Sequence, residues 1–236
     1  MNSLNEEMYM EHILDLYKNP LNFGILENAD FKERCFNPSC GDEVEIQAKV
    51  NRNKIVYRGS LLDFMGVDLA IKAMPIILRE IPDLTFEIVG IGKESKKLKK
   101  LAKSLMVSKN VLFHGFVKGR LEMEKVLSDA ALGIATFNTD ILDDKVRNSD
   151  PGKIKDYMLM GMPVITTNAV YYHRRITNRR CGLVVEYKPE ELAAAVIKLL
   201  KNRNLLKEYR QNAIHFIEKF DCNHIYKSNT ERVLNK

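Results

Sequence analysis

The sequence predicts an α/β protein: an open parallel sheet of about six strands with helices on both faces, preceded by a short α+β segment. Three observations point there. From residue 55 onward, short apolar runs alternate with amphipathic stretches, strand then helix, as a parallel sheet with crossover helices requires. The first 57 residues do not follow that alternation. Charge divides at the same place: residues 1–57 hold 6 Lys/Arg and 10 Asp/Glu, leaving 31 and 21 for the remainder of a chain whose net charge is +6. The second segment is therefore basic enough to face an anionic ligand.

In the first segment, Glu6 to Lys18 has the apolar spacing of an amphipathic helix, with Met8, Ile13, Leu14 and Tyr17 on its inner positions. Asn19-Pro20 ends it. Leu21 to Asn37 reads as irregular. Glu43 to Val50 alternates, with Val44, Ile46, Ala48 and Val50 on one face, which predicts a half-buried strand. Asn51-Arg52-Asn53 is a turn into a second extended run.

In the second segment we expect strands over Ile55–Gly59, Thr85–Gly90, Val111–Gly115, Leu132–Thr136, Pro163–Thr167 and Gly182–Val185. Helices are expected over Val67–Glu80, Ser95–Leu105, Leu121–Ser128, Lys153–Met160, Pro189–Lys201 and Leu205–Phe220, with a last amphipathic stretch from Asn223 to Leu234. Ligands of such sheets bind beyond the carboxyl ends of the strands, near the switch in strand order. Three loops fall there. Gly59-Ser60-Leu61-Leu62-Asp63-Phe64-Met65-Gly66 carries small residues that let a ligand approach the backbone, and the second loop is Gly90-Ile91-Gly92-Lys93-Glu94. The second loop lacks the third glycine of a dinucleotide fingerprint. The third loop runs through Ser149-Asp150-Pro151-Gly152-Lys153 into a helix, with Ser149 or Asp150 as its cap. Free N–H groups at that helix start, a lysine in its first turn and Asp156 one turn on together suit a diphosphate with a sugar hydroxyl beside it.

The other features are bland or exclusive. Four scattered cysteines, Cys35, Cys40, Cys181 and Cys222, do not make a disulfide framework and point to a reducing, cytoplasmic setting. The acidic start lacks the regions of a signal peptide, and no apolar run approaches the roughly 20 residues that span a bilayer. Lys93, Lys96, Lys97, Lys99, Lys100 and Lys103 form a basic helix, read first as a solvated face and alternatively as a peripheral membrane contact; a nucleic-acid partner is not expected. Arg174, Arg175, Arg179 and Arg180 follow Tyr171-Tyr172-His173 near the expected cleft. His114 reads as a hydrogen-bonding residue rather than a catalyst.

Two resemblances account for this division. Tyr9-Met10-Glu11-His12-Ile13-Leu14-Asp15-Leu16-Tyr17-Lys18-Asn19-Pro20 and Asn37-Pro38-Ser39-Cys40-Gly41-Asp42 resemble the start of the NifU/IscU iron–sulfur scaffold family, over about residues 1–57. That resemblance implies Cys40 as an iron–sulfur or zinc ligand, Asp42 as a residue that modulates the site, and a hairpin of 43–50 with 54–58. With Ile55–Gly59 expected as an interior parallel strand whose edges are both occupied, that hairpin has no free edge here, and residues 1–50 are expected to dock loosely or pack elsewhere. A second cysteine should follow shortly after Val56, and none does, so a working metal site is not expected; one thiolate and one carboxylate do not close a four-ligand site.

Residues 58–236 resemble the C-terminal, donor-binding domain of GT-B glycosyltransferases of family 4, a Rossmann-like fold. The matching residues are Gly59-Ser60-Leu61 with Gly66-Val67-Asp68-Leu69, Phe86-Glu87-Ile88-Val89-Gly90-Ile91-Gly92, Val111-Leu112-Phe113-His114-Gly115-Phe116, Lys153-Ile154-Lys155-Asp156-Tyr157 with Gly161-Met162-Pro163-Val164-Ile165, and Cys181-Gly182-Leu183-Val184. The resemblance implies a nucleotide-diphosphate sugar as ligand and no cofactor. It places the donor against Gly59, Ser60, Gly90, Gly92, Asp150, Gly152, Lys153 and Asp156, with the base near loop 115–120, the ribose at Asp156 and the diphosphate at Lys153. Where the family often has a basic residue in its first loop, this chain has Met65, beside Ser60. Transfer also needs an acceptor-binding domain, which residues 1–57 are too short to be and which a partner subunit would supply. Catalytic residues are not assigned. The alternatives are a non-catalytic nucleotide-sugar-binding module, a partner-dependent subunit, or an iron–sulfur scaffold fragment.

Overall fold

The computed structural model describes residues 10, 14, 15, 18, 24–27, 29, 31–48, 53–127, 129–142, 144–148, 150–218 and 220. Contacts divide the chain into two compact units, Met1–Lys49 and Val50–Lys236. The helix expected over Glu6–Lys18 lies outside the described residues apart from Met10, Leu14, Asp15 and Lys18, all helical; the stretch from Asn223 to Leu234 lies outside them entirely.

The first unit holds two antiparallel strands, β1 (Phe31–Phe36) and β2 (Glu43–Ala48), in register from Phe31 opposite Ala48 to Phe36 opposite Glu43. The turn between them is closed by Asn37 N–H donating to the Asp42 carbonyl at 2.8 Å, and it needs the positive φ of +80° that Gly41 supplies. One sequence expectation is corrected here. Residues 31–36, read as irregular, form a strand: its Phe-Lys-Glu-Arg-Cys-Phe pattern places Arg34 across from Glu45 and beside Glu43, and those ion pairs replace the apolar alternation that was sought. As expected for an interior parallel strand with both edges occupied, residues 54–58 pair with β4 and β6 and not with residues 43–48, which pair with β1.

The second unit is a six-stranded, all-parallel sheet in the order β5-β4-β3-β6-β7-β8. Its strands are β3 (Lys54–Arg58), β4 (Thr85–Val89), β5 (Val111–Gly115), β6 (Leu132–Ala135), β7 (Val164–Thr167) and β8 (Gly182–Val185). The expected strands are thus present and parallel. Helices α1 (Val67–Glu80), α2 (Ser95–Ser104), α3 (Arg120–Leu127), α4 (Asp144–Arg147), α5 (Gly152–Leu159), α6 (His173–Arg179), α7 (Pro189–Lys201) and α8 (Arg203–Glu218) connect or follow them. The sequence reading did not anticipate α4 and α6, both too short to show a helical period.

Alternation along each strand sends side chains to two cores. Ile55, Tyr57, Leu132, Ile134 and Ile165 pack with α1, α2 and α7 on one face. Val56, Ala135 and Val164 pack with α5, α6 and α8 on the other. The middle strand opens on an ion cluster: the buried Lys54 ammonium pairs with Glu87 at 3.2 Å and with Asp129, and Glu87 also meets His114 Nε2 at 2.9 Å. His114 is thereby placed as a hydrogen-bonding residue of the sheet. Strand order turns between β3 and β6, so the loops after these two strands flank the crevice where doubly wound sheets hold ligands.

Candidate functional site

The crevice is built from backbone packing first. Gly59, at φ +144°, continues β3 past its end by donating its N–H to the Val89 carbonyl at 2.9 Å. Leu61 N–H then reaches the Ile91 carbonyl at 3.0 Å, and Glu94 N–H returns to Leu61 O at 3.0 Å. The two loops lie so close that a Cβ on Gly90 would stand 1.8 Å from the Gly59 carbonyl oxygen, and one on Gly92 would stand 2.1 Å from that of Leu61. The missing side chains of Gly90 and Gly92 make room for the neighbouring loop. Gly152 differs: nothing lies within 4 Å of where its Cβ would be, so an approaching group meets the backbone there.

The loop after β6 is fixed by buried hydroxyls. Thr136 Oγ1 donates to the Gly66 carbonyl at 2.8 Å, and Thr167 Oγ1 donates to the Phe137 carbonyl at 2.8 Å while accepting the Phe137 N–H at 3.0 Å. A cleft of about 120 Å³ opens between the loops after β3, β4 and β6, walled by Asp63, Asp68, Glu94, Lys97 and Asn138. Its carboxylates suit hydroxyl groups better than phosphates.

Helix α5 carries the charged part of the site, and one tyrosine sets its position. Gly133 of β6 leaves space that a Cβ would take to within 2.4 Å of the Tyr157 ring. Tyr157 is fully buried there; its hydroxyl accepts the Arg58 N–H at 2.6 Å and donates to the Ile134 carbonyl at 3.3 Å. Burial pushes this phenol well above its ordinary pKa. One hydroxyl therefore ties α5 to β3 and β6 together, at the switch in strand order.

From that anchor, Lys153 extends over the end of β3. Its Nζ donates to Tyr57 Oη at 3.0 Å, touches Met65 Sδ at 3.3 Å, and lies 4.4 Å and 5.1 Å from the ring centres of Tyr57 and Phe137. The Tyr57 hydroxyl in turn donates to the Ser60 carbonyl at 2.8 Å. Gly59 completes the cage: a Cβ there would stand 3.2 Å from Lys153 Nζ. Among the described residues the ammonium has no carboxylate partner. Burial, and then the nearby Arg58 charge, draw its pKa down to about 7. Asp156, one turn on, forms an ion pair with Arg58 Nη1.

Gly59, Ser60, Lys153 and Asp156 thus meet at one sheet end, beside the loops of Gly90 and Gly92. Asp150 is close in sequence but does not cap α5. Pro151 holds the cap position without a side-chain hydrogen bond, and Asp150 pairs with Lys155 instead; Ser149 lies outside the described residues. The arginines after Tyr172 are divided by α6. Arg174 and Arg175 stand at its start over the rings of Tyr171 and Tyr172, whereas Arg179 and Arg180 lie at its far end, and Arg180 pairs with Glu208 at 3.0 Å. Sequence reasoning missed Tyr57, Arg58, Phe137 and Tyr157. Tyr157 stood in the stretch matched after Lys153, and Arg58 left a trace as a charge closing the apolar run Ile55-Val56-Tyr57, next to a glycine.

In the first unit, Cys40 Sγ donates to Asp42 Oδ2 at 3.0 Å, and both residues are exposed. Among the described residues no group of three or more His, Cys, Asp or Glu could hold a metal ion, and no helix is long and apolar enough to cross a membrane.

Comparison with known proteins agrees with this architecture. The family model described as glycosyl transferases group 1 matches residues 42–216, and that of the NifU-like N terminal domain matches residues 8–72. The scaffold match runs beyond Val56, where the motifs were expected to end, yet residues 57–72 contain no cysteine. An uncharacterised glycosyltransferase of Methanocaldococcus jannaschii is 26% identical over 76% of this chain and 44% of its own length. The lipopolysaccharide glucosyltransferase WaaG of Escherichia coli is 24% identical over 86% and 53%. The iron–sulfur cluster assembly scaffold protein IscU of Aquifex aeolicus is 46% identical over 27% of the chain and 40% of its own length. The chain therefore spans about half, or less, of the length of these three relatives. Among solved structures, the C-terminal domain of the group 1 glycosyl transferase LpcC from Francisella tularensis superposes with a TM-score of 0.60 at 19% identity, over 70% of this chain and 84% of that one. Anabaena HepE in complex with UDP superposes at 0.64 and 19%, over 79% and 50%. With its parallel sheet and its long family match, the chain belongs to the glycosyl transferases group 1, and it carries a NifU-like stretch at its start.

Proposed function

We propose that residues 58–236 bind a nucleotide-diphosphate sugar for glycosyl transfer, and that residues 1–57 are a truncated scaffold-type segment. Lys153 carries the reading: a half-buried cation without a carboxylate partner among the described residues, aimed at the carboxyl end of β3 beside the open start of α5. The diphosphate takes the free N–H groups at Gly152 and Lys153 together with the ammonium. Asp156 accepts from the ribose hydroxyls, the base lies toward loop 115–120, and Asp150 contacts the sugar. Gly59, Ser60, Gly90 and Gly92 form the floor by holding the two loops together.

When the glycosidic bond of the donor breaks, negative charge grows on the departing diphosphate. Donors fixed in place before that moment stabilise it without reorganisation. The acceptor must be held in line on the opposite side. A partner subunit with an acceptor-binding domain is the source we assign for it.

UDP is the first nucleotide to test, because HepE was solved with it. Calorimetric titration should show binding that weakens by about 10- to 150-fold in Lys153→Ala, the worth of one charge-assisted contact. Absence of binding by UDP and by other nucleoside diphosphates, or a folded Lys153→Ala variant that binds as wild type, would overturn the assignment. Binding of the intact donor without turnover, even with an acceptor domain added, would make the chain a binding module.

A further inference from the structure

The phosphate end of this site has too little positive charge for its proposed ligand. A diphosphate esterified to a sugar carries two negative charges. Lys153, drawn down to about 7, is only partly charged at neutral pH. The loop after β3 offers Ser60 and Met65 where a basic residue would be expected, and Lys155 is engaged by Asp150. Beside Lys153, among the described residues, stands a permanent cation, Arg58.

Arg58 is held by its backbone and loosely held by its side chain. Its N–H is fixed by the buried Tyr157 hydroxyl at 2.6 Å, so the residue cannot drift from the end of β3. Its guanidinium makes one ion pair, with Asp156 Oδ2, and the two side chains are 38% and 40% exposed. A guanidinium has five N–H donors, so that pair leaves most of them free. A pair so exposed contributes little and is readily exchanged. A phosphate, by contrast, can be bound bidentately by the same planar fork.

We propose that Arg58 is the second cation of the phosphate seat and that it changes partner, from Asp156 in the free protein to the donor's diphosphate, releasing Asp156 for the ribose. This rests on the donor reading above and adds a residue and an exchange to it. The exchange makes recognition of the two halves of the ligand interdependent. A nucleoside without phosphates gives Arg58 nothing to move to, so Asp156 stays engaged. Pyrophosphate alone must compete with Asp156 for the guanidinium.

Two substitutions should consequently have crossed effects. Removing the arginine weakens the phosphate contact but frees the carboxylate. Neutralising the carboxylate weakens the ribose contact but frees the arginine. A residue with a merely structural role would weaken all ligands alike.

The experiment is a titration of the full chain and of Arg58→Gln, Arg58→Lys and Asp156→Asn with UDP, inorganic pyrophosphate and uridine. Calorimetry serves the tight pairs, ligand-observed NMR the weak ones, and circular dichroism checks the fold. Arg58→Gln should lose about tenfold or more for UDP and pyrophosphate while keeping or improving its affinity for uridine. Arg58→Lys should recover part of the loss. Asp156→Asn should bind pyrophosphate more tightly than wild type and uridine more weakly. If Arg58→Gln binds UDP as wild type does while Lys153→Ala has lost it, the exchange is refuted and the donor site stands. If wild type binds none of the three, both fall. Should Arg58→Gln fail to fold, Asp156→Asn decides: no gain for pyrophosphate refutes the exchange.

Discussion

The two antiparallel strands of the first unit and the six parallel strands of the second draw on similar residues and leave them in different surroundings. In β2, Val44 and Ile46 are 55% and 61% exposed, and Phe36 at the end of β1 is 67% exposed. In β3, Ile55, Val56 and Tyr57 are wholly buried, with helices on both faces. Pairing alone does not make a core. A two-stranded hairpin satisfies its inner hydrogen bonds and still leaves its apolar face in water, which is why such pairs are marginal in isolation. The sheet gains stability because helices cover both faces of its central strands, and apolar area leaves water on both sides.

The sharpest way to break this comparison is to separate the units. A chain beginning at residue 50 should unfold in one cooperative thermal transition and give α/β far-ultraviolet dichroism, whereas residues 1–49 alone should show no transition at all. Aggregation or non-cooperative melting of the longer piece would show that its core depends on the first unit.

A smaller effect comes from one glycine in each unit. Gly90→Ala puts a Cβ against the Gly59 carbonyl at a φ of +141°, so it should destabilise by about 3 kcal/mol or more and lower the main melting transition by roughly 6–12 °C. Gly41→Ala has open space around it and only a φ of +80° to contend with, about 1–2 kcal/mol confined to the hairpin turn. It should leave the main transition where it is. Scanning calorimetry of the two variants compares them directly, and equal shifts would contradict the division into independent units.

The smallest effect concerns pH. Lys153 has its folded pKa lowered to about 7 from 10.5, so between these values the unfolded chain binds more protons than the folded one. Stability should therefore rise with pH from about 7 toward 10, while below 7 the full penalty of the buried charge remains. Lys153→Met should melt a few degrees higher than wild type at pH 6 and converge with it as pH rises. UDP affinity should change in the opposite sense, falling as the ammonium deprotonates, and Lys153→Arg should flatten that fall. A melting profile of wild type parallel to that of Lys153→Met across this range would remove Lys153 as a buried titrating group.

Much of the second unit was legible in the sequence because its elements are long enough to show a period and its strands are continuous apolar runs. Ile55-Val56-Tyr57 and Val164-Ile165 read as buried strands before any neighbour was known. The position of α5 was legible for the same reason, and with it Lys153 and Asp156. Their partners were not. The cage of Tyr57, Met65 and Phe137 joins residues far apart in the chain, and nothing local in those residues signals a lysine between them. Small residues in a crevice loop read alike whether or not another loop packs against them, and at Gly90 and Gly92 the space a Cβ would take is filled by a neighbouring loop. The strand Phe31–Phe36 was hidden because salt bridges across the pair, rather than alternation, hold it.

The place of β3 in the sheet bears on how the protein is made. It is the first of the six strands to be synthesised, yet it ends with both edges covered, by β4 on one side and by β6 on the other. The β6 edge closes only after helices α1, α2 and α3 have left the ribosome. Until then a strand with the apolar run Ile55-Val56-Tyr57 emerges with one ladder unpaired, the kind of exposed edge that recruits other chains. A nascent chain of this protein thus passes through a long interval in which a strand destined for the core keeps an adhesive edge, and chaperone occupancy during translation should be concentrated between the completion of β3 and the arrival of β6.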